Sequence, residues 1–267
     1  IRALAIREKS LGPEHPITAG SINNLAGFYD EQGLHSKAGL LYLKALSISE
    51  KALGPKHPFT ANNLNNLAGV YLQQGAYSKA EPLYIRALAI REQSLGPEHP
   101  DTATSLDNLA SLYDTQALYS KAEPLYIRAL AIREQSLGLE HPDTATSLDN
   151  LAVHYDNQGF YSKAEPYLRR GTRAEIRFIQ KEAPYLALSD RQALASSRGI
   201  TYMITFQIAD QTDAIAKLAL FTRLNRQGLL EEIEWRQSLF AHLPGTQQQL
   251  TEELRTVNCQ LSSATLK

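Results

Sequence analysis

The chain of 267 residues is poor in several residue types, and each shortage narrows what it can be. One cysteine, Cys259, excludes a disulfide within the chain and any zinc site built from several thiolates. The 27 basic and 28 acidic side chains leave a net charge of −1, without the basic excess of proteins that grip nucleic acid or anionic membrane. No apolar run approaches the ~20 residues of a membrane-spanning helix, and nothing has the pattern of a secretory signal. Glycine-rich phosphate loops and G-x-S-x-G nucleophile sequences are missing. These absences predict a soluble, cytoplasmic, non-catalytic chain without metal or cofactor, binding neither nucleic acid nor membrane. Its apolar fraction of 43% is enough to build a core.

What the chain has in abundance is repetition. The stretch "YSKAEPLYIRALAIREQSLG" occurs at Tyr77–Gly96 and again, letter for letter, at Tyr119–Gly138. Aligning the copies gives a period of 42 residues and four units, Leu11–Ala52, Leu53–Ser94, Leu95–Ser136 and Leu137–Phe178. The opening "IRALAIREKS" is in register with Ile85–Ser94, so residues 1–10 read as the second helix of an earlier unit, and a longer parent protein is expected. A reaction centre needs unlike groups in single places. Interchangeable units suit an extended surface.

Each unit divides into two helices. In the second unit, Leu64, Leu67, Ala68 and Tyr71 form one apolar stripe, and Ala80, Leu83, Tyr84, Ala87, Leu88 and Ile90 form another. Ser78 and Glu81 have the spacing of a capping box, repeated at Ser120/Glu123 and Ser162/Glu165 and weakened in the first unit, where Gly39 replaces the glutamate. Gly75 stops the first helix, while in "LGPEHP" Gly96 suits a left-handed cap and Pro100 opens the next helix. A period near 42 also suits HEAT or armadillo units. The phasing of Leu67-Ala68, Tyr71, Ala80, Tyr84 and Ala87 decides against them, because it resembles the tetratricopeptide repeat lengthened by eight residues. With "LGPEHPDTATSLDNLA" and "AEPLYIRALAI", residues 1–178 resemble the tetratricopeptide domain of kinesin light chains and their bacterial relatives. The resemblance implies an all-α, right-handed superhelical solenoid that binds peptide segments of partner proteins in a concave groove.

In such folds the first helix of each unit lines the groove, on the side away from its buried stripe. That implies groove positions at Asn23, Asn65, Asp107 and Asp149, followed seven residues on by Asp30, Leu72, Asp114 and Asp156. Asn24, Asn66, Asn108 and Asn150 repeat beside them, either as ligand contacts or as a hydrogen-bonded ladder between units. Asparagine and aspartate at these positions argue against a clamp for a terminal carboxylate, which needs Lys and Arg. Basic or neutral peptide segments are the expected partners. A second candidate is the basic stripe Arg169, Arg173 and Arg177 in the fourth unit, where Gly171 also replaces Ala129 inside a helix. His15, His57, His99 and His141 recur before prolines, but packed helices stand ~8–10 Å apart and zinc ligands must lie ~2 Å from one ion. They read as loop residues.

After Phe178 the period is lost. Residues 179–267 are expected to form a helical extension, with helices around Ser189–Ala209, Thr212–Leu243 and Thr246–Ser262. "ITYMITFQI" at 200–208 alternates like a strand but has no partner strand, so helix is assigned there. "LSDRQALASSRG" and "LNRQGLLEEIEWRQSLF" resemble the connector between tetratricopeptide repeats and a caspase-like domain of the CHAT type. That resemblance supplies an alternative function, a regulatory or substrate-recruiting arm of a larger protease, whose catalytic His and Cys would lie beyond Lys267. A third reading is self-association through the unpartnered helix at residues 1–10.

Overall fold

The computed structural model describes residues 2–182, and every secondary-structure element among them is a helix. The expected extension at 179–267, with the segment 200–208 and Cys259, lies outside the described residues except for its first four positions. The chain divides into two compact units, Ile1–Leu139 and Glu140–Lys267.

In the first unit, α1 (Arg2–Leu11) precedes three helical hairpins: α2 (Pro16–Glu31) with α3 (His35–Ala52), α4 (Pro58–Gln73) with α5 (Tyr77–Ser94), and α6 (Pro100–Thr115) with α7 (Tyr119–Leu137). Each hairpin's helices pack on each other, and α1, α3 and α5 each pack on the first helix that follows. The close approach within a hairpin rests on small residues: Ala26, Ala38, Ala68, Ala80, Ala110 and Ala122 are all fully buried. Tyr42, Tyr84 and Tyr126 fill the space beside them and are almost wholly buried. The Tyr42 hydroxyl lies where a Cβ on Gly27 would meet it at 3.4 Å, so that glycine leaves room for the ring. Burial, with Asp30 adding, pushes the Tyr84 hydroxyl up to about 12. In the second unit, α8 (Pro142–Asn157) packs on α9 (Tyr161–Glu182), around Ala152 and Leu168.

The loops between hairpins are built the same way each time. Gly12, Gly54 and Gly96 take positive φ, and Thr18, Thr60 and Thr102 donate back to their carbonyls at 2.8–2.9 Å. The recurrent histidines do more than fill a loop. Each is the N-cap of a first helix: Nδ1 of His15, His57, His99 and His141 accepts the amide two residues on at 3.1–3.2 Å, with proline next in line at the first helical position.

The capping boxes expected at the second helices do not form. These helices start at Tyr77 and Tyr119, one residue before the serine, so Ser78 and Ser120 are already helical and the N-caps Ala76 and Leu118 carry no side-chain bond. Glu81 is used otherwise: it accepts the Tyr113 hydroxyl of the next hairpin at 2.8 Å. Gly39, which stands where that glutamate would be, lies against Val70 of the next hairpin. Lys79 and Lys121 sit over the rings of Tyr71 and Tyr113, closing each hairpin from the side.

Candidate functional site: the faces of the first helices

Asn23, Asn65 and Asp107 hold one position on α2, α4 and α6, but they are not equally accessible. Asn23 is half-buried, and its Oδ1 accepts from Asn66 Nδ2 of the next hairpin at 2.9 Å. Asn65 is only 5% exposed, donates to Ser105 Oγ of α6 at 3.0 Å, and its Oδ1 has no donor among the described residues. Asp107 is 6% exposed and forms an ion pair with Arg133, itself 6% exposed. In the second unit Asp149 is buried as well.

Asn65, Asp107 and Asp149, expected on the open side of the first helices, are thus largely out of solvent. At Asp107 the cause is plain, because a guanidinium from the second helix of its own hairpin reaches across and takes the carboxylate out of solvent. The positions seven residues on remain half-buried. Asp30 pairs with His35 Nδ1 at 2.8 Å. Asp114 and Asp156 are half-buried too, and burial raises the Asp156 carboxyl above its ordinary value. Beside them, strips run Ile17, Gly20, Asn24 on α2, Phe59, Asn62, Asn66 on α4, and Asp101, Thr104, Asn108 on α6, exposed at Ile17, Asn24, Asn62 and Asp101 and half-buried elsewhere. Asn66 bonds to Asn23 of α2, one position before Asn24, so the bond between α2 and α4 joins the two asparagine rows.

Beneath these strips runs a second periodic row that the sequence reading passed over: Arg7, Ser49, Arg91 and Arg133, one per second helix. Arg7 donates to Ser21 Oγ at 2.6 Å, and Arg91 to Ser105 Oγ at 2.9 Å, each serine standing on the next first helix. Arg91 adds the Asp101 carbonyl at 2.7 Å and Asn62 Oδ1 at 2.6 Å. At the junction between them the polarity is reversed, since Asn63 Nδ2 donates to Ser49 Oγ at 2.7 Å. Burial lowers the Arg91 pKa from its ordinary value, and the nearby Asp101 opposes that. The visible signal was there: an arginine in phase with the period, switching to serine where the opposing serine becomes asparagine.

The basic stripe lies elsewhere, on the exposed side of α9. Arg169 pairs with Glu165 one turn back, with its Nε 2.9 Å from Oε1, and Arg177 pairs with Glu140 at 2.5 Å, while Arg173 is exposed between them. Among the described residues no group of three or more His, Cys, Asp or Glu side chains could hold a metal ion. None of the described helices is long and apolar enough to cross a membrane.

The family model described as Tetratricopeptide repeat matches residues 20–93, 64–135 and 116–174 in overlapping copies. Among solved structures, the chain is similar to BtubC (BKLC) from P. vanneervenii at 31% identity, over 65% of this chain and 69% of that one, with a TM-score of 0.56. It is also similar to a kinesin light chain-like protein of nearly identical TPR-like repeats from Podosopora anserina, at 25% identity over 86% of this chain and 99% of that one, with a TM-score of 0.56. No curated protein sequence matches at a significant level.

Proposed function

Since this chain belongs to the tetratricopeptide repeat family, we propose that it is a non-catalytic protein-interaction scaffold that holds extended peptide segments along the exposed strips of its first helices. The observation that supports this reading is the amide column Asn24, Asn66 and Asn108, repeated at the period of the fold, exposed at Asn24 and half-buried at Asn66 and Asn108. An amide side chain offers one acceptor and two donors, which suits the alternating polar groups of a peptide backbone whatever its sequence. Asn23, Asp30 and Asp114 flank this column, with Asp156 at the same position in the second unit. Asn65 and Asp107 shape the site from beneath.

Of the expected partners, neutral segments fit better than basic ones. The Asp107 charge is neutralised by Arg133 and Asp30 is hydrogen-bonded to His35, which leaves Asp101 as the exposed carboxylate of the strip. Binding should therefore depend weakly on salt, whereas charge-driven docking would fade as ionic strength rises. The test is selection of 12-residue peptides from a random display library on the full chain, followed by affinity measurements on the triple variant Asn24→Ala/Asn66→Ala/Asn108→Ala. Loss of at least tenfold in affinity at unchanged helicity supports the reading. Peptides that bind the triple variant as well as the native chain would move the site to another face.

A further inference from the structure

The outer faces of the second helices take no part in stacking. Three positions one turn apart hold Leu43, Ser47 and Lys51 on α3, Ile85, Ala89 and Gln93 on α5, and Ile127, Ala131 and Gln135 on α7, all exposed. On α3 and α5 these faces stay open although the next hairpin is packed against the helix. On α9, in the second unit, the same three positions are Arg169, Arg173 and Arg177, again exposed. A single arginine on a surface is ordinary, but three in phase set their guanidinium groups along one line. We propose that this line is a second docking surface, separate from the groove, that holds an extended acidic segment of a partner protein.

The fold does not call for these arginines. Glu165, which accepts from Arg169 Nε and Nη2 at 2.9 and 2.5 Å, stands where α5 and α7 have Glu81 and Glu123. There the residue one turn on is Ile85 or Ile127, and those hairpins form without such a pair. Arg177 pairs with Glu140, as Lys51 does with Glu14 in the first hairpin, in exposed surroundings where ion pairs add little stability. Arg173 replaces Ala89 and Ala131 and stands exposed between the two pairs.

Spacing and charge choose the occupant. Residues four apart on a helix lie about 6 Å apart along its axis, and alternate residues of an extended chain about 7 Å. Carboxylates at every second residue of an extended segment therefore meet the three arginines in turn. A guanidinium carries five N–H donors, so the pairs with Glu165 and Glu140 leave donors over for an incoming carboxylate. The planar fork of arginine also matches a carboxylate with two parallel bonds. Glu165 and Glu140 limit the site, because each sets a negative charge beside an outer arginine. That opposes a long polyanion such as nucleic acid, or an anionic membrane, and favours a short acidic segment.

The probe is a fluorescein-labelled 12-residue peptide with aspartate at every second position and serine between, titrated against the full chain by anisotropy. Binding at low salt that weakens at least tenfold at high salt is expected. The variant Arg169→Ile/Arg173→Ala/Arg177→Gln gives α9 the residues that α7 already carries, so it should keep native helicity and lose the peptide tenfold or more. Arg173→Glu alone touches neither ion pair and should cost at least fivefold. The groove variant Asn24→Ala/Asn66→Ala/Asn108→Ala should bind this peptide as the native chain does, and its loss there would place the peptide in the groove and sink the proposal. No binding at low salt, or equal binding to the native chain and the triple α9 variant, also overturns it. So does tighter, α9-dependent binding of an oligothymidylate or of phosphatidylserine vesicles, which would reassign the face to nucleic acid or membrane.

Discussion

Arg91 and Arg133 occupy the same place on α5 and α7, within identical twenty-residue stretches, yet their surroundings differ in kind. Arg133 faces Asp107 and forms a buried ion pair, with Thr104 Oγ1 3.2 Å from its other terminal nitrogen. Arg91, with Asn65 at the position of Asp107, has no carboxylate among its hydrogen-bond acceptors, and its charge is spread over Asn62, Ser105 and the Asp101 carbonyl. One fold position therefore tolerates two solutions to the same cost, the removal of a guanidinium from water. The lesson is that the second helix can stay constant while the first helices around it choose how its charge is satisfied.

The sharpest way to separate the two solutions is to remove each arginine. Arg133→Met takes the guanidinium from a buried carboxylate, and loss of one partner of such a pair costs about 3–5 kcal/mol. Arg91→Met leaves only neutral acceptors behind, at about 1–3 kcal/mol. Urea unfolding of the two variants should show the first midpoint falling further, and equal shifts would erase the distinction. Asp107→Asn comes next, because it gives Arg133 a neutral neighbour while Thr104 replaces the acceptor that Asn62 gives Arg91. A loss of about 1–3 kcal/mol is expected, largely recovered when Thr104→Asn is added.

Asn65→Asp converts the Arg91 site to the other type. Its net effect at neutral pH should be within about 1 kcal/mol, since the new pair is offset by the desolvation of the carboxylate. The sign with pH is definite. A carboxyl held by Arg91 has its folded pKa depressed, so its contribution is present above the ordinary aspartate value of ~3.9 and lost as pH falls through the folded one. Acid titration of this variant should therefore be steeper than that of the native chain. The smallest effect belongs to the outer ion pairs Arg86–Glu50 and Arg128–Glu92, which join successive hairpins at 2.6–2.7 Å in partly exposed surroundings. Arg86→Ala should cost at most about 1 kcal/mol, less in high salt.

The helical hairpins were legible because their signal is local and repeated. Apolar spacing, glycine stops and helix-opening prolines each recur in phase, and α4 and α5 run close to where Leu64, Gly75 and Pro100 place them. The site was legible only in part. Helical phase put Asn65 and Asp107 on the first helices, but periodicity alone does not say which long side chain arrives from elsewhere. Arg133 lies 26 positions from Asp107 and buries it. The capping box misled for a related reason, since Ser78 and Glu81 have the right spacing but the helix begins one residue early and Glu81 answers to Tyr113.

The identity of α5 and α7 carries a consequence for inheritance. Their identical stretches lie one period apart, so an unequal exchange between the two copies of that coding sequence would remove or add one whole hairpin without creating a new residue at the seam. Arg91 and Arg133 would be interchangeable across it, since each is followed fourteen residues on by a serine, Ser105 and Ser147. The Ser49–Asn63 junction, with its reversed polarity, lies outside the exchangeable segment and would be left alone. Such an exchange would change the length of the array in steps of one complete 42-residue unit.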